Sequence, residues 1–230
     1  MSKSRRPGVK RIMSEVLKEK MDPLMFEQGF KRLQTSNKYR RNTEYGKQIV
    51  CISIQLYDLQ TWISPLVLLQ SELLSNYLRS IYEQRSVPIT SQIESYLQYP
   101  AFGNYTFVEK ASYTLLKQYP DSNNQIWECT EDEFPLVIDQ IMPLLKEVVL
   151  PHVNSHMDIA SIALSTEYPF NGVAYEGPST VFAIAASLYL KRYGDVERIC
   201  KNVLKKAKLF KDYYAFMLDY VQTIKASEDK

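Results

Sequence analysis

Apolar and polar residues alternate from residue 48 to residue 57. Val50, Ile52, Ile54 and Leu56 fall on one side, and Cys51, Ser53, Gln55 and Tyr57 on the other. A period of two predicts a β-strand, and its apolar face requires a cover. On the N-terminal side the period is helical. Ile12, Val16, Leu17, Leu24 and Met25 recur at that spacing from Val9 onward, Asp22-Pro23 restarts a short second helix, and Gly29 ends it. Residues 30–41 predict a strand with a polar interruption at 34–37. Residues 42–46 predict a hairpin connection into the central strand.

Beyond the strand, Ser64-Pro65 has the form of an N-cap followed by a first-turn proline. Leu66, Leu69, Leu73, Leu74, Tyr77, Leu78 and Ile81 continue it as one helical stripe, stopped at Ser86-Val87-Pro88. Residues 89–129 alternate in short runs (Ile93, Ser95, Leu97, Tyr99; then Tyr105, Phe107, Glu109, Ala111, Tyr113, Leu115; then Ile126 to Cys129) between breakers at Pro100, Gly103-Asn104 and Pro120-Asp121. They predict a meander of strands, with a helix over 105–118 as the alternative. Thr130 and Glu133 have capping-box spacing. They begin a helix expected to kink at Pro143 and stop at Pro151. A short helical piece follows at 158–165, then a turn-rich stretch. Three more helices come next: one Ala-rich, containing Phe182 to Leu190; one over 196–209, after Tyr193-Gly194-Asp195; and one over 211–226. The pattern as a whole predicts an α+β fold, an antiparallel sheet covered by helices with a C-terminal helical bundle. Its expected organisation is a disordered basic tail at 1–8, an α+β domain at 9–165 and a helical subdomain at 166–230 packed on it.

Composition adds three points. The chain has 17 tyrosines in 230 residues, a residue suited to half-buried sheet faces and contact surfaces. Its net charge of +2 is unevenly spread: residues 1–47 hold 13 Lys/Arg against five Asp/Glu, and residues 48–190 hold five against 15. Opposed potential patches are expected from such segregation. The three cysteines, Cys51, Cys129 and Cys200, are far apart and form no Cys-x-x-Cys. With no apolar stretch behind the basic start and no run of about 20 apolar residues, the expectation is a cytoplasmic protein that contacts no membrane.

Gly29-Phe30-Lys31-Arg32, the basic strand around Tyr39-Arg40-Arg41, Ile52-Ser53-Ile54-Gln55, and the stretch from Trp127 through Glu133 to Leu150-Pro151 together resemble a family of small bacterial domains of unknown function. The resemblance implies the same element order over about two thirds of the chain and brings no chemistry. Residues 186–207, around Tyr-Gly-Asp, are similar to one tetratricopeptide-like helix pair. A solenoid needs about three such units, so no array is expected.

Three sets of residues carry candidate chemistry. Glu131, Asp132 and Glu133, in the acidic middle of the chain, suit a basic protein partner, although a helix start also accounts for them. Lys31, Arg32, Lys38, Arg40 and Arg41, interleaved with Tyr39, suit phosphates and stacked bases. His152 and His156 stand four apart near Asp158, a spacing that can share a metal. The Glu of His-Glu-x-x-His is missing, and Pro151 places the pair at a helix junction. No glycine-rich phosphate loop and no Gly-x-Ser-x-Gly is present, and no cofactor is expected. The reading that follows is a non-catalytic protein-interaction module, with immunity to a bacterial toxin as its concrete form. The alternatives are a nucleic-acid binder through residues 31–47 and a metal-dependent enzyme near His152 and His156.

Overall fold

The computed structural model describes residues 5–34, 36–56, 61–91, 93–94, 116–118, 125–130, 132–155, 157–164, 178–205 and 211–228. Helix α1 (Arg5–Lys20) buries Met13, Val16 and Leu17 at helical spacing and ends on Lys18 and Lys20, cations that suit its negative C-terminal end. It begins within the segment expected as a tail, because a proline at position 7 is tolerated in a first turn. Helix α2 (Asp22–Glu27) has its proline in the first turn. Gly29 then takes φ +77°, so that its N–H reaches the Phe26 carbonyl and Phe30 N–H the Met25 carbonyl.

Among the described residues the sheet has six strands: β1 (Lys31–Arg32), β2 (Lys38–Thr43), β3 (Gly46–Leu56), β4 (Thr61–Gln70), β5 (Leu116–Gln118) and β6 (Gln125–Cys129). Their order is β1-β2-β3-β4-β6-β5, and the pairs β1–β2, β4–β6 and β5–β6 are antiparallel. An α+β fold with a helical C-terminal part is therefore what the chain forms. The interrupted strand expected over 30–41 is two strands joined by a turn, with Lys31 opposite Arg40 and Arg32 opposite Tyr39. Gln34, at φ +23°, takes the bend. The central strand runs as expected, but both its faces are buried over the described side chains. Gln48, Ile49, Val50, Cys51 and Ile52 are all inside, so the alternation did not mark a wet face.

The largest correction concerns residues 64–71. Ser64-Pro65 starts no helix and lies within β4, beyond the pairs that Thr61, Trp62 and Ile63 make with Cys129, Glu128 and Trp127. A proline there removes no donor from those pairs. The true cap is Ser71, whose hydroxyl accepts from Leu74 N–H at the start of α3 (Glu72–Gln84). Contiguous Leu66 to Leu69 satisfies a buried strand as well as a helix, so periodicity alone could not separate them. Ile93 and Glu94 are helical rather than extended. Residues 105–115, where strand and helix both stood open, lie outside the described residues, while 116–118 are strand.

The helix expected up to Pro151 runs on to Asn154 as α4 (Phe134–Leu144), a π turn (Leu145–Val149) and α5 (Leu150–Asn154). Pro143 falls in the last turn of α4. Pro151 falls in the first turn after the wider π turn, where a missing N–H is tolerated. Further helices among the described residues are α6 (Ile159–Leu164), α7 (Pro178–Tyr189), α8 (Tyr193–Leu204) and α9 (Lys211–Glu228).

Chain contacts define two compact units. One holds α1, α2, α4, the π turn, α5 and nearly all of the sheet. The other holds α3 and α6 to α9. In the helical unit α7 is buried at every position from Thr180 to Leu188 and packs on α3, α6 and α8, its alanines permitting close approach. Helix α9 packs on α8, where the Glu197 carboxylate accepts from Lys201 (2.5 Å) and Lys225 (2.6 Å).

Gly46 opens β3 with its Cα against β4, and a Cβ there would overlap the Gln70 carbonyl. Gly46→Ala is expected to cost about 2 kcal/mol or more in chemical denaturation, because backbone has to move. The bonds from Lys201 and Lys225 bring the Glu197 pKa down to about 2, below an unfolded value of about 4.3. Its contribution is thus present above about pH 4.3 and is lost as pH falls toward 2. An NMR titration should find the Glu197 midpoint well below 4 and find it raised in Lys225→Ala; a wild-type midpoint above 4 contradicts the pairing.

Candidate functional site

The β1–β2 ribbon divides its basic residues by the pleat. Arg32 and Tyr39, directly opposed, point inward. Tyr39 is fully buried and its hydroxyl donates to Asp22 Oδ1 at 2.7 Å. Burial, and then the Asp22 carboxylate, push this phenol far above its ordinary range. Arg32 lies 3.5 Å from Asp22 Oδ2, with the two side chains 10% and 12% exposed. It also donates to the Ser36 carbonyl (2.8 Å), the Ser14 carbonyl (3.2 Å) and Ser14 Oγ (2.9 Å). Arg41 is occupied as well. Its guanidinium stacks 4.5 Å over the Phe30 ring and donates to Gln48 Oε1 (2.7 Å), the Gln28 carbonyl (3.0 Å) and Asn154 Oδ1 (2.6 Å). Buried Gln48 in turn donates to the Val153 carbonyl at 2.9 Å. These three members of the basic set are therefore structural.

Lys31, Lys38 and Arg40 are exposed. Lys31 is cross-strand to Arg40, and Lys38 lies two residues from Arg40 on the same side. On β3, Lys47 joins them. The Arg41–Gln48 bond and the bond from Ile52 N–H to the Asn37 carbonyl set a hairpin register that opposes Lys47 to Asn42 and Lys38 to Cys51. Burial pushes the Cys51 thiol up and the Lys38 charge opposes it, as that register requires. Among the described residues none of Lys31, Lys38, Arg40 and Lys47 makes an ion pair.

The acidic set is not assembled as a patch. Glu131 lies outside the described residues. Asp132 is exposed. Glu133 turns back on the chain, accepting from Thr130 N–H (2.9 Å) and Thr130 Oγ1 (3.0 Å), and the backbone bond chiefly lowers its pKa. This is half of the expected capping box, since the Thr130 hydroxyl donates to the carboxylate rather than accepting from the helix. His152 lies on α5, and His156 is outside the described residues. Asp158 caps α6, accepting from Ser161 N–H at 2.7 Å and from Ser161 Oγ at 2.8 Å. No group of three His, Cys, Asp or Glu side chains is gathered among the described residues. Burial pushes the Cys200 thiol up to about 12, so it is no thiolate at neutral pH.

One assembly has no counterpart in the sequence pattern. Tyr77 from α3, Tyr189 from the end of α7, Tyr193 from the start of α8 and Tyr220 from α9 converge. The rings of Tyr77 and Tyr189 meet edge to face at 5.5 Å, and Tyr77 Oη donates to the Leu188 carbonyl at 3.3 Å. Burial first, then Tyr220, Tyr193 and Tyr189 around it, push the Tyr77 phenol up to about 12. Arg85 caps the Tyr220 ring at 5.3 Å. Of the four, Tyr189 stays 41% exposed, and the adjoining Leu190 is 37% exposed. The tyrosine count was the available signal, but four residues so far apart in sequence converge only in the folded bundle.

Substitution separates the two faces of the ribbon. Tyr39→Phe removes a charge-assisted bond and should cost about 1.5–2 kcal/mol, and Arg32→Ala, which leaves buried Asp22 without its cation, about 2–3 kcal/mol. Lys38→Ala should stay within about 0.5 kcal/mol. Urea titrations that rank all three alike contradict the assignment. No helix among the described residues is long and apolar enough to cross a membrane. No protein-family model matches the chain, and no curated protein or solved structure is similar to it.

Proposed function

We propose that the chain is a non-catalytic protein-interaction module whose contact surface is centred on Tyr189 and Leu190. The observation that carries this reading is the convergence of four tyrosines from four helices, one of them, Tyr189, exposed together with adjoining Leu190. Aromatic rings with polar tips give large contact area at low entropic cost and dominate binding energy where they cluster. Edge-to-face packing on Tyr77 holds the Tyr189 ring before any partner arrives, which reduces the ordering cost of binding. The partner is a basic protein. Exposed Asp132, in the segment of the chain with the largest excess of Asp and Glu over Lys and Arg, contributes to its steering. An antidote that holds a bacterial toxin inactive in the cytoplasm is the concrete form of this reading.

Affinity capture of the full chain from its own cells, followed by calorimetry on the recovered partner, tests it. Tyr189→Ala and Leu190→Asp should each weaken binding at least tenfold, mainly through faster dissociation. Asp132→Lys should slow association at low salt and have little effect at high salt. Unchanged affinity in both patch variants, with unchanged melting temperature, removes the reading, as does recovery of no stoichiometric partner.

A further inference from the structure

The outward face of the β1–β2–β3 hairpins has four cations and, among the described residues, no counter-charge, and the interaction reading makes no use of it. We infer that this face is a second binding site, for the phosphodiester backbone of a nucleic acid, formed by Lys31, Lys38, Arg40 and Lys47. Three observations lead there. Lys31 and Arg40 are directly opposed in register, and like charges across a ladder repel. The same ribbon neutralises or stacks every inward cation: Arg32 has Asp22, and Arg41 has Gln48, Gln28, Asn154 and the Phe30 ring. On this ribbon the outward cations have no ion-pair partner among the described residues. Between residues 38 and 56 the one carboxylate is Glu44, in the loop rather than on the strands.

Placement favours a backbone over a base edge as the ligand. Lys38 and Arg40 are two residues apart on one strand, roughly 7 Å. Arg40 and Lys31 are neighbours across the ladder, and Lys47 is on the next strand. The charges form a row flanking Ile49 and Cys51, which are buried on the same face of β3, and a row of cations suits a chain of evenly spaced anions. The tyrosine expected to stack a base here, Tyr39, is fully buried and bonded to Asp22. The site therefore binds by charge, without base stacking and without sequence preference.

Fluorescence anisotropy of the full chain on a labelled 20-base-pair duplex and on a labelled 20-mer single strand, from 50 to 200 mM salt, tests this. Three to four phosphate contacts give a log K against log salt slope of about −3 on the duplex. Lys31→Ala, Lys38→Ala and Arg40→Ala should each make that slope shallower by about 1 and weaken different sequences equally. Lys205→Ala, an exposed lysine of the helical unit, should leave it unchanged. Melting temperatures of the three ribbon variants should hold or rise without nucleic acid, as repulsion is relieved. Equal loss in Lys205→Ala overturns the site, as that outcome reports net charge only. So does an absence of binding at 50 mM salt, or binding to phosphatidylserine vesicles but not to either oligonucleotide. If the variants only increase light scattering, the lysines protect an exposed sheet edge, and the inference also fails.

Discussion

A carboxylate withdrawn from water has to be met by donors or a counter-charge, and Asp22 imposes that requirement on one end of the sheet. It stands at the first turn of α2, accepts from buried Tyr39 of β2 and lies beside Arg32 of β1. Arg32 then reaches Ser14 of α1, so one buried acid fixes two helices and two strands against each other. A rearrangement of the ribbon would leave a charge or a phenol unpaired in the interior. The Gln48–Arg41 pair works in the same way at the other end of β2, where it satisfies the carbonyls of Val153 and Gln28.

The pleat of β2 turns this packing constraint into a surface. With Tyr39 and Arg41 held against α1, α2 and α5, Lys38 and Arg40 have to point the other way. Their basicity is the same in the sequence, but their physical roles are opposite. The inward guanidiniums act through geometry and burial; the outward cations remain hydrated and available to screen another charge.

The helical unit depends on a different term. Helix α7 is buried all round from Thr180 to Leu188 and mostly apolar there, which makes sense only for a helix enclosed by others. Enclosing it brings α3, α8 and α9 close enough for Tyr77, Tyr189, Tyr193 and Tyr220 to share one neighbourhood. Tyr82 and Phe216, ring centroids 4.6 Å apart, continue the aromatic packing into the core. Phenols on α3, α7, α8 and α9 become a cluster because the alanines of α7 keep the interhelical distances short.

Local chemistry was enough to read the α+β class, the hairpin into β3, the Gly29 turn, and helices α7 to α9, because in each a period or a breaker residue acts on its immediate neighbours. The sequence also delimited the candidate ligands: a basic ribbon, an acidic middle and an unusual number of tyrosines. It could not separate Arg32 and Arg41 from Lys31 and Arg40, since a buried partner such as Asp22 or Gln48 is distant in the chain. It misplaced the start of α3 because Ser64-Pro65 imitates a cap as well as Ser71 makes one, and only the sheet pairing of Thr61 to Ile63 decides between them. Burial on both faces of β3, the passage of a helix through Pro151 by way of a π turn, and the meeting of four tyrosines were settled by tertiary structure, since each depends on which distant segments exclude water from a given side chain.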